Sequence, residues 1–391
     1  MIKISDDLIC IDVNDKKTDL FEGQFVIPNG ISYNSYIVSD KKTVVISTAD
    51  ERFSEEWIKE VKSALGDKIP DYLVILHMEP DHSAGISDFL KIYPKTEIVG
   101  NSKIFVMLEE FFGAGFAKNR VEIKDGDELS LGRHVLKFIF APMVHWPEVM
   151  VAYDMYDKTL YSADGFGKFG ALDCKEDWDN EARRYYFGIV GKFGAQVQSL
   201  LKKLTPYELK RICPLHGPVL ENDLGRYIRL YDRWSSYLPE KDGVMIAYTS
   251  IYGHTKQAAL ELINKLKEYG VNDVVVYDLA RADRYECIAQ AFSYSTLVLA
   301  TTTYNGTLFP AMREFLDCLT ERNYRNRNVG FIENGSWAPV AAAAMAERLS
   351  KCKDLTLCKN TVKIRSALNE ESVLQLGVLA DELAKHVTGT K

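Results

Sequence analysis

The chain has 391 residues, 47% hydrophobic and 26% charged, a length and balance that suit two globular domains or one large one and exclude collagen-like and disordered chains. Its formal net charge of -7 excludes a general binder of nucleic acid or anionic membrane, since both need a basic surface, and leaves only a local basic patch open. Met1 to Asp7 places acids where a secretory signal needs an apolar stretch, and no later run approaches the roughly 20 apolar residues of a membrane span, so the expected location is the cytoplasm.

Up to about residue 165 the chain offers short β-rich runs broken by turns, such as Tyr36 to Val38, Thr43 to Ile46 and Tyr72 to Leu76, the pattern of stacked sheets. Val149 to Tyr153 and Thr159 to Tyr161 flank a turn-like Asp154 to Lys158 and predict a hairpin. Helical periodicity is confined mainly to Ser54 to Leu65, Lys103 to Phe112 and Glu181 to Leu204. Pro239 and Gly243, with charges between them, mark a boundary. From there apolar strands alternate with amphipathic helices: Val244 to Tyr248, a helix to Tyr269, Val274 to Tyr277, a helix, Leu297 to Ala300, a helix, Val329 to Ile332 and two more helices. That order predicts a doubly wound parallel sheet. The expected domains are therefore residues 1–242 and 243–391.

Seven cysteines, Cys10, Cys174, Cys213, Cys287, Cys318, Cys352 and Cys358, include no C-x-x-C pair. Neither a disulfide framework nor a four-cysteine rubredoxin-type iron site is encoded, and reduced structural thiols are expected.

The apolar strand Tyr72 to Leu76 runs into His77-Met78-Glu79-Pro80-Asp81-His82, so four ligand-type side chains stand at a strand end, where loops leave sheets and sites are built. In extended chain His77 and Glu79 point the same way. Pro80 then turns the backbone and lets Asp81 and His82 approach from a second direction. A binuclear site is the geometric outcome. His145, Asp164 and His216 each follow a further strand-like run. One histidine in such a place is more often a core or surface group than a ligand. Here four of the five histidines before residue 243 occupy strand ends, His134 being the exception. Four imidazoles and three carboxylates without thiolate suit iron, manganese or zinc.

The second half carries a different constellation. Strand Val244 to Tyr248 opens into Thr249, Ser250, Ile251, Tyr252, Gly253, His254 and Thr255 before a helix, offering hydroxyls, amides and a helix N-terminus to a phosphate. Such a turn serves equally as a helix cap. Neither G-x-G-x-x-G nor a P-loop is present, which disfavours a dinucleotide or a nucleoside triphosphate. Two more strand-end loops, Thr302, Thr303, Tyr304, Asn305 and Gly306, then Asn334, Gly335, Ser336 and Trp337, lie where doubly wound folds bind ligands. Tyr304 and Trp337 read either as ligand-facing rings or as aromatics sealing their loops, and His254 as a phosphate partner or a solvated loop residue.

The motif H-x-[EH]-x-D-H followed by His, Asp and His resembles the metallo-β-lactamase superfamily over most of residues 1–240. Glu79, where the zinc hydrolases usually carry histidine, is similar to the flavodiiron branch, and the three loops of residues 243–391 resemble the FMN loops of flavodoxin-like domains. The implied fold is α/β: an N-terminal αββα metallo-β-lactamase-like sandwich, then a flavodoxin-like doubly wound parallel sheet. The resemblance implies two non-haem iron ions, with His77, Glu79 and His145 on the one nearer the flavin, Asp81, His82 and His216 on the other, and Asp164 bridging. It also implies FMN, reduction of dioxygen or nitric oxide, an external donor such as rubredoxin, and a head-to-tail homodimer or dimer of dimers. Three carboxylates against two divalent ions leave one positive charge, which a bridging hydroxide cancels. Glu79 in place of a neutral histidine adds negative charge, favours ferric iron and makes the reduced ion a better electron donor. The rival expectation is a binuclear zinc hydrolase fused to a flavodoxin-like domain.

Overall fold

The structure is a computed structural model and describes residues 1–389. The chain forms two compact units, one of Met1–Tyr186 with Ala195–Asp232, the other of Phe187–Gly194 with the chain from Arg233 onward.

The first unit holds two sheets. The seven-stranded one runs in the order Ile2–Lys3, Leu8–Asp15, Ile31–Ser39, Thr43–Ile46, Tyr72–Val74, Glu97–Gly100, Arg120–Glu122. It is antiparallel up to Thr43–Ile46 and parallel beyond. The second sheet comprises Glu128–Ser130, Val135–Phe140, Met150–Asp154, Thr159–Tyr161 and Arg211–Cys213. The predicted hairpin is present, with Asp154 opposite Thr159 and the first strand starting at Met150. Strand Ile31–Ser39 is buried along nearly its whole length, the signature of a strand covered on both faces. On one side Tyr36 meets Tyr161 of the other sheet, ring centroids 5.5 Å apart, and its hydroxyl donates to the Pro214 carbonyl at 2.6 Å. On the other, Trp57 of helix Ser54–Leu65 donates to Ser35 Oγ at 2.7 Å. Lys203 of helix Gly194–Leu204 donates to the Phe140 carbonyl at 2.8 Å, placing that helix against the second sheet.

The single helix expected over Glu181 to Leu204 is a composite. Helix Trp178–Tyr185 passes into a π-turn at Tyr186–Val190 and a 3₁₀ turn at Gly191–Phe193 before helix Gly194–Leu204 begins. Gly188, Gly191 and Gly194 recur every third residue, and their missing side chains weaken the helical register there. The interruption carries Phe187 into the second unit, where its ring stacks on Phe292 at 4.0 Å and 10°.

The second unit is a parallel sheet in the order Val274–Asp278, Lys241–Tyr248, Tyr294–Tyr304, Arg327–Asn334, Leu355–Ile364, the 2-1-3-4-5 arrangement of flavodoxin-like folds. Val244, Ile246, Val298 and Ile332 of the strands pack against Leu262 and Leu266 of helix His254–Glu268 and Leu376, Leu379 and Leu383 of helix Glu370–Thr388. Each such side chain, fully removed from water, contributes roughly 1.5–3 kcal/mol. The sequence reading expected two helices after Val329 to Ile332; the structure inserts strand Leu355–Ile364 between them. This is an edge strand with most residues exposed or half-exposed, so it lacks the apolar run that betrayed its neighbours.

Candidate metal centre and flavin cleft

All seven predicted ligands stand just beyond strand ends of the first unit. His77 follows Tyr72–Val74, Glu79 precedes the single helical turn Pro80–Ser83 that holds Asp81 and His82, and His145 lies between Val135–Phe140 and Met150–Asp154. Asp164 follows Thr159–Tyr161, and His216 follows Arg211–Cys213. Pro80 supplies the turn without wasting an amide, because the first N–H of a helix has no intrahelical partner.

Ligand-type atoms of these residues gather in two groups, His77, Glu79, His145 and Asp164 in one, Asp81, His82 and His216 in the other. Glu79 Oε2 lies 3.2 Å from Nε2 of both His77 and His145. Asp81 Oδ2 lies 3.3 Å from Nε2 of both His82 and His216. Asp164 faces both groups: Oδ2 is 3.1 Å from His145 Nε2, and Oδ1 is 3.1 Å from His82 Nε2. His134, the histidine left out of the pattern, is buried against Asp154 at 2.5 Å and belongs to neither group.

The residues around the groups orient the imidazoles. The Ser32 carbonyl can only accept, so His216 Nδ1, 2.7 Å away, carries a proton and Nε2 is the nitrogen turned to the group. Glu148, 1% exposed, accepts from His77 Nδ1 at 2.8 Å and from the Met78 amide at 2.9 Å, and fixes His77 in the same sense. Trp146 and His77 meet edge to face, while Phe21, Tyr33 and Tyr185 ring His216 with centroids 5.5 to 5.8 Å away.

Two observations test the fit of cations here. Both oxygens of Asp81, Asp164 Oδ1 and His82 Nδ1 are buried without a well-formed hydrogen bond, although burying a polar group unpaired costs free energy. Crowded carboxylates repel one another unless positive charge lies among them, and the titration behaviour says the same. Burial disfavours charge on His77, yet Asp164, Glu148 and Glu79 outweigh it and raise its pKa well above the ordinary value. His145, likewise buried, is pushed up to about 9 by Asp164 and Glu79. Burial also opposes ionisation of Asp164, and the surrounding histidines still hold it well below the usual carboxylate range. Two divalent ions satisfy that demand, and an all-nitrogen and oxygen donor set fits iron.

Sequence reasoning missed three neighbours. Glu148 carried no signal beyond lying close to His145. Tyr185 is fully buried, its hydroxyl has no hydrogen-bond partner, and burial followed by Asp164, Asp81 and Glu79 raises its pKa far above normal, so it stays a neutral donor beside the carboxylates. Glu22, in the turn between Leu20–Phe21 and Phe25–Val26, keeps an open face to solvent. Crowding around its carboxyl and then the charge of Glu79 push its pKa up to about 7.

In the second unit a cleft of about 630 Å³ is lined by the three predicted loops, together with Ala338 and Ser366. Of the residues expected there, Thr249 and Gly253 do not line it. Thr249 is buried with its hydroxyl 2.6 Å from Thr301 Oγ1, and Gly253 takes a left-handed φ of 93° to start helix His254–Glu268. That helix has no side-chain cap, which leaves its first amides for an anion. His254 is its first residue and lines the cleft. Tyr304 and Trp337 do not seal their loops: they are 42% and 91% exposed, and Tyr252 is 89% exposed. Large rings held open beside a phosphate-ready helix fit a planar cofactor with a phosphate tail. Ser366, missed because its strand was missed, bonds to Ser336 Oγ at 2.8 Å and to Asn334 Oδ1 through its amide at 3.1 Å.

Residues 31–217 match the family model described as ODP family beta lactamase. A nitric oxide reductase of Moorella thermoacetica is 28% identical over 363 residues, 90% of each chain. An anaerobic nitric oxide reductase flavorubredoxin of Salmonella paratyphi B is 26% identical over 331 residues, 82% of this chain and 69% of that one. Among solved structures, a variant of a flavo di-iron protein from Thermotoga maritima superposes with a TM-score of 0.88 at 26% identity, covering 97% of this chain and 96% of that one. The rubredoxin oxygen:oxidoreductase of Desulfovibrio gigas shares the fold with a TM-score of 0.92 at 23% identity, covering 99% and 98%. With two groups of ligand-type side chains in one unit and a cleft lined by three strand-end loops in the other, the chain is similar over nearly its whole length to flavodiiron proteins.

Proposed function

We propose that the protein is a flavodiiron oxidoreductase that takes electrons through FMN and uses them at a non-haem diiron site to reduce dioxygen to water, nitric oxide to nitrous oxide, or both. The observation that carries this reading is Asp164, which turns one oxygen toward each group of side chains at 3.1 Å. In this reading residues 1–242 are the diiron domain and 243–391 the FMN domain. His77, Glu79 and His145 hold one iron, Asp81, His82 and His216 hold the other, and Asp164 bridges. The FMN phosphate rests on the loop from Ser250 to Thr255, with Tyr304 and Trp337 beside the ring.

When bound, FMN exchanges electrons singly or in pairs and the iron pair delivers two to a diatomic molecule. The protein's own part is to bind, orient and supply protons. Ser32 and Glu148 hold the Nδ1 protons of His216 and His77, which aims both Nε2 lone pairs inward. The ring of Phe21, Tyr33 and Tyr185 keeps bulk water from His216. Tyr185, neutral and buried, offers a hydrogen bond beside the carboxylates, and Glu22, with an open face to solvent, can take a proton from it and release it at its own carboxyl oxygen. Glu79 lends the added negative charge that separates an electron-donating centre from a hydrolytic one.

The reading extends to a cytoplasmic homodimer, head to tail or paired into a tetramer, reduced by a rubredoxin-type donor; no helix among the described residues is long and apolar enough to cross a membrane. The test is metal content per chain on protein made in iron-supplied cells and purified without oxygen, followed by gas consumption with reduced rubredoxin. Two irons per chain and turnover of either gas are expected. Two zincs, with iron unable to bind or restore turnover, would instead support a hydrolase fused to a flavodoxin-like domain. Sedimentation gives the oligomer.

A further inference from the structure

In the second unit, edge strand Leu355–Ile364 packs against helix Glu370–Thr388. Glu382 and His386 are four residues apart on that helix and therefore share a face. Cys358 on the strand meets them there: one ligand atom from each of the three lies within 4.8 Å of the others. Cys358 is buried, and Glu382 and His386 are half-buried. We propose that Cys358, Glu382 and His386 form a second metal site, for a borderline-soft divalent cation of the zinc type, with three protein ligands and a remaining position open to solvent.

The charges balance, since a thiolate and a carboxylate neutralise a divalent ion and the imidazole stays neutral. The donor types set the class of ion, because sulfur and nitrogen select against magnesium and calcium, whereas the centre of the first unit has no thiolate. The distances are close to those needed. Bond lengths of about 2.0–2.3 Å place tetrahedral donors roughly 3.5 Å apart, so side chains within 4.8 Å close on an ion by about an ångström of adjustment.

Glu382 is already oriented. Its Oε1 accepts from the Lys359 amide at 2.7 Å, and its Oε2 accepts from the Asn360 amide at 3.2 Å and Asn360 Nδ2 at 2.7 Å. One lone pair of Oε1 is left over. These bonds outweigh burial and hold its carboxyl below the usual range. Burial, then the charge of Glu382, pushes the Cys358 thiol up to about 12. It therefore rests protonated, and as the sulfur–metal bond forms the proton leaves to solvent with no change of oxidation state. The ion would clip the edge strand to the C-terminal helix, and that strand leads directly to Ser366 of the flavin cleft.

The test is titration of full-length protein, iron and FMN in place, with cobalt(II), recording the difference spectrum for sulfur-to-cobalt charge transfer. Nitrogen and oxygen ligands give no such band, so cobalt entering the iron site is silent in it. One cobalt per chain with a charge-transfer band is expected. Cys358→Ser should abolish the band, His386→Gln should weaken cobalt binding at least about tenfold, and flavin absorbance reports that each variant is folded. Should Cys358→Ser fail to fold, Glu382→Gln takes its place, with weaker binding expected. No band in the native chain, or a band that survives loss of Cys358, His386 or Glu382 at unchanged affinity, overturns the site.

Discussion

Replacing Glu148 separates the charge that steadies His77 from the hydrogen bonds that orient it. A single oxygen, Oε1, accepts from both His77 Nδ1 at 2.8 Å and the Met78 amide at 2.9 Å, while Oε2 is buried without a partner. Glu148→Gln can present its carbonyl oxygen in the same place and keep both bonds while losing the charge. Glu148→Ala removes both and leaves two buried donors unmet. Loss of a partner behind a metal-bound histidine typically costs about 10–100-fold in metal affinity, or about 1.4–2.8 kcal/mol. The glutamine variant should fall toward the lower end and the alanine variant at or beyond the upper end, because an unmet buried donor adds about 1–3 kcal/mol of its own. The assay is competition with a graded iron chelator, with iron counted per chain. If His77, Glu79 and His145 hold one ion as proposed, that ion should leave first and the other later. If folded Glu148→Ala retains both irons with native affinity, the assignment of Glu148 as the residue that positions His77 is wrong.

Glu79→His should sharply lower oxidase or nitric oxide reductase turnover while the site still binds metal, since it removes one negative charge from the centre; unchanged turnover contradicts its role. Trp337→Ala should weaken FMN binding by roughly 2- to 13-fold, from about 0.5–1.5 kcal/mol for one aromatic stacking partner, measured by quenching of flavin fluorescence, and an unaltered affinity removes Trp337 from the flavin contact. His134 is buried, which lowers its pKa, but Asp154 at 2.5 Å and Asp7 at 3.4 Å overcome this and raise it above 6.5. A raised folded pKa stabilises fully below the unfolded value and fades as pH climbs through the folded one. Thermal denaturation of His134→Gln should thus show its largest deficit below about pH 6.5 and a shrinking one above; a deficit independent of pH refutes the charged pair.

Much of this was legible in one dimension. Strand ends are where side chains converge, so His77, Glu79, Asp81 and His82 announced themselves by following an apolar run and flanking a proline. The parallel sheet was equally plain where its strands are buried on both faces, as at Val244 to Tyr248 and Leu297 to Ala300. It failed at Leu355–Ile364, whose edge position lets polar residues alternate with few apolar ones, and with it went Ser366. The helix expected over Glu181 to Leu204 has the right periodicity at both ends. Its middle is decided by glycines and by Phe187 finding Phe292, far away in sequence.

The amino-acid order by itself determined which side chains sit at strand ends, their hard nitrogen and oxygen character, and the alternation that builds the second sheet, because these depend on local period and on chemistry carried by each residue. Tertiary structure alone decided that Asp164 turns an oxygen toward each group, that Ser32 and Glu148 fix the imidazoles, and that Tyr185 and Glu22 stand beside them. It also decided that Cys358 meets Glu382 and His386. Those are distances between residues remote along the chain, set by how sheets and helices pack, and no local pattern encodes them.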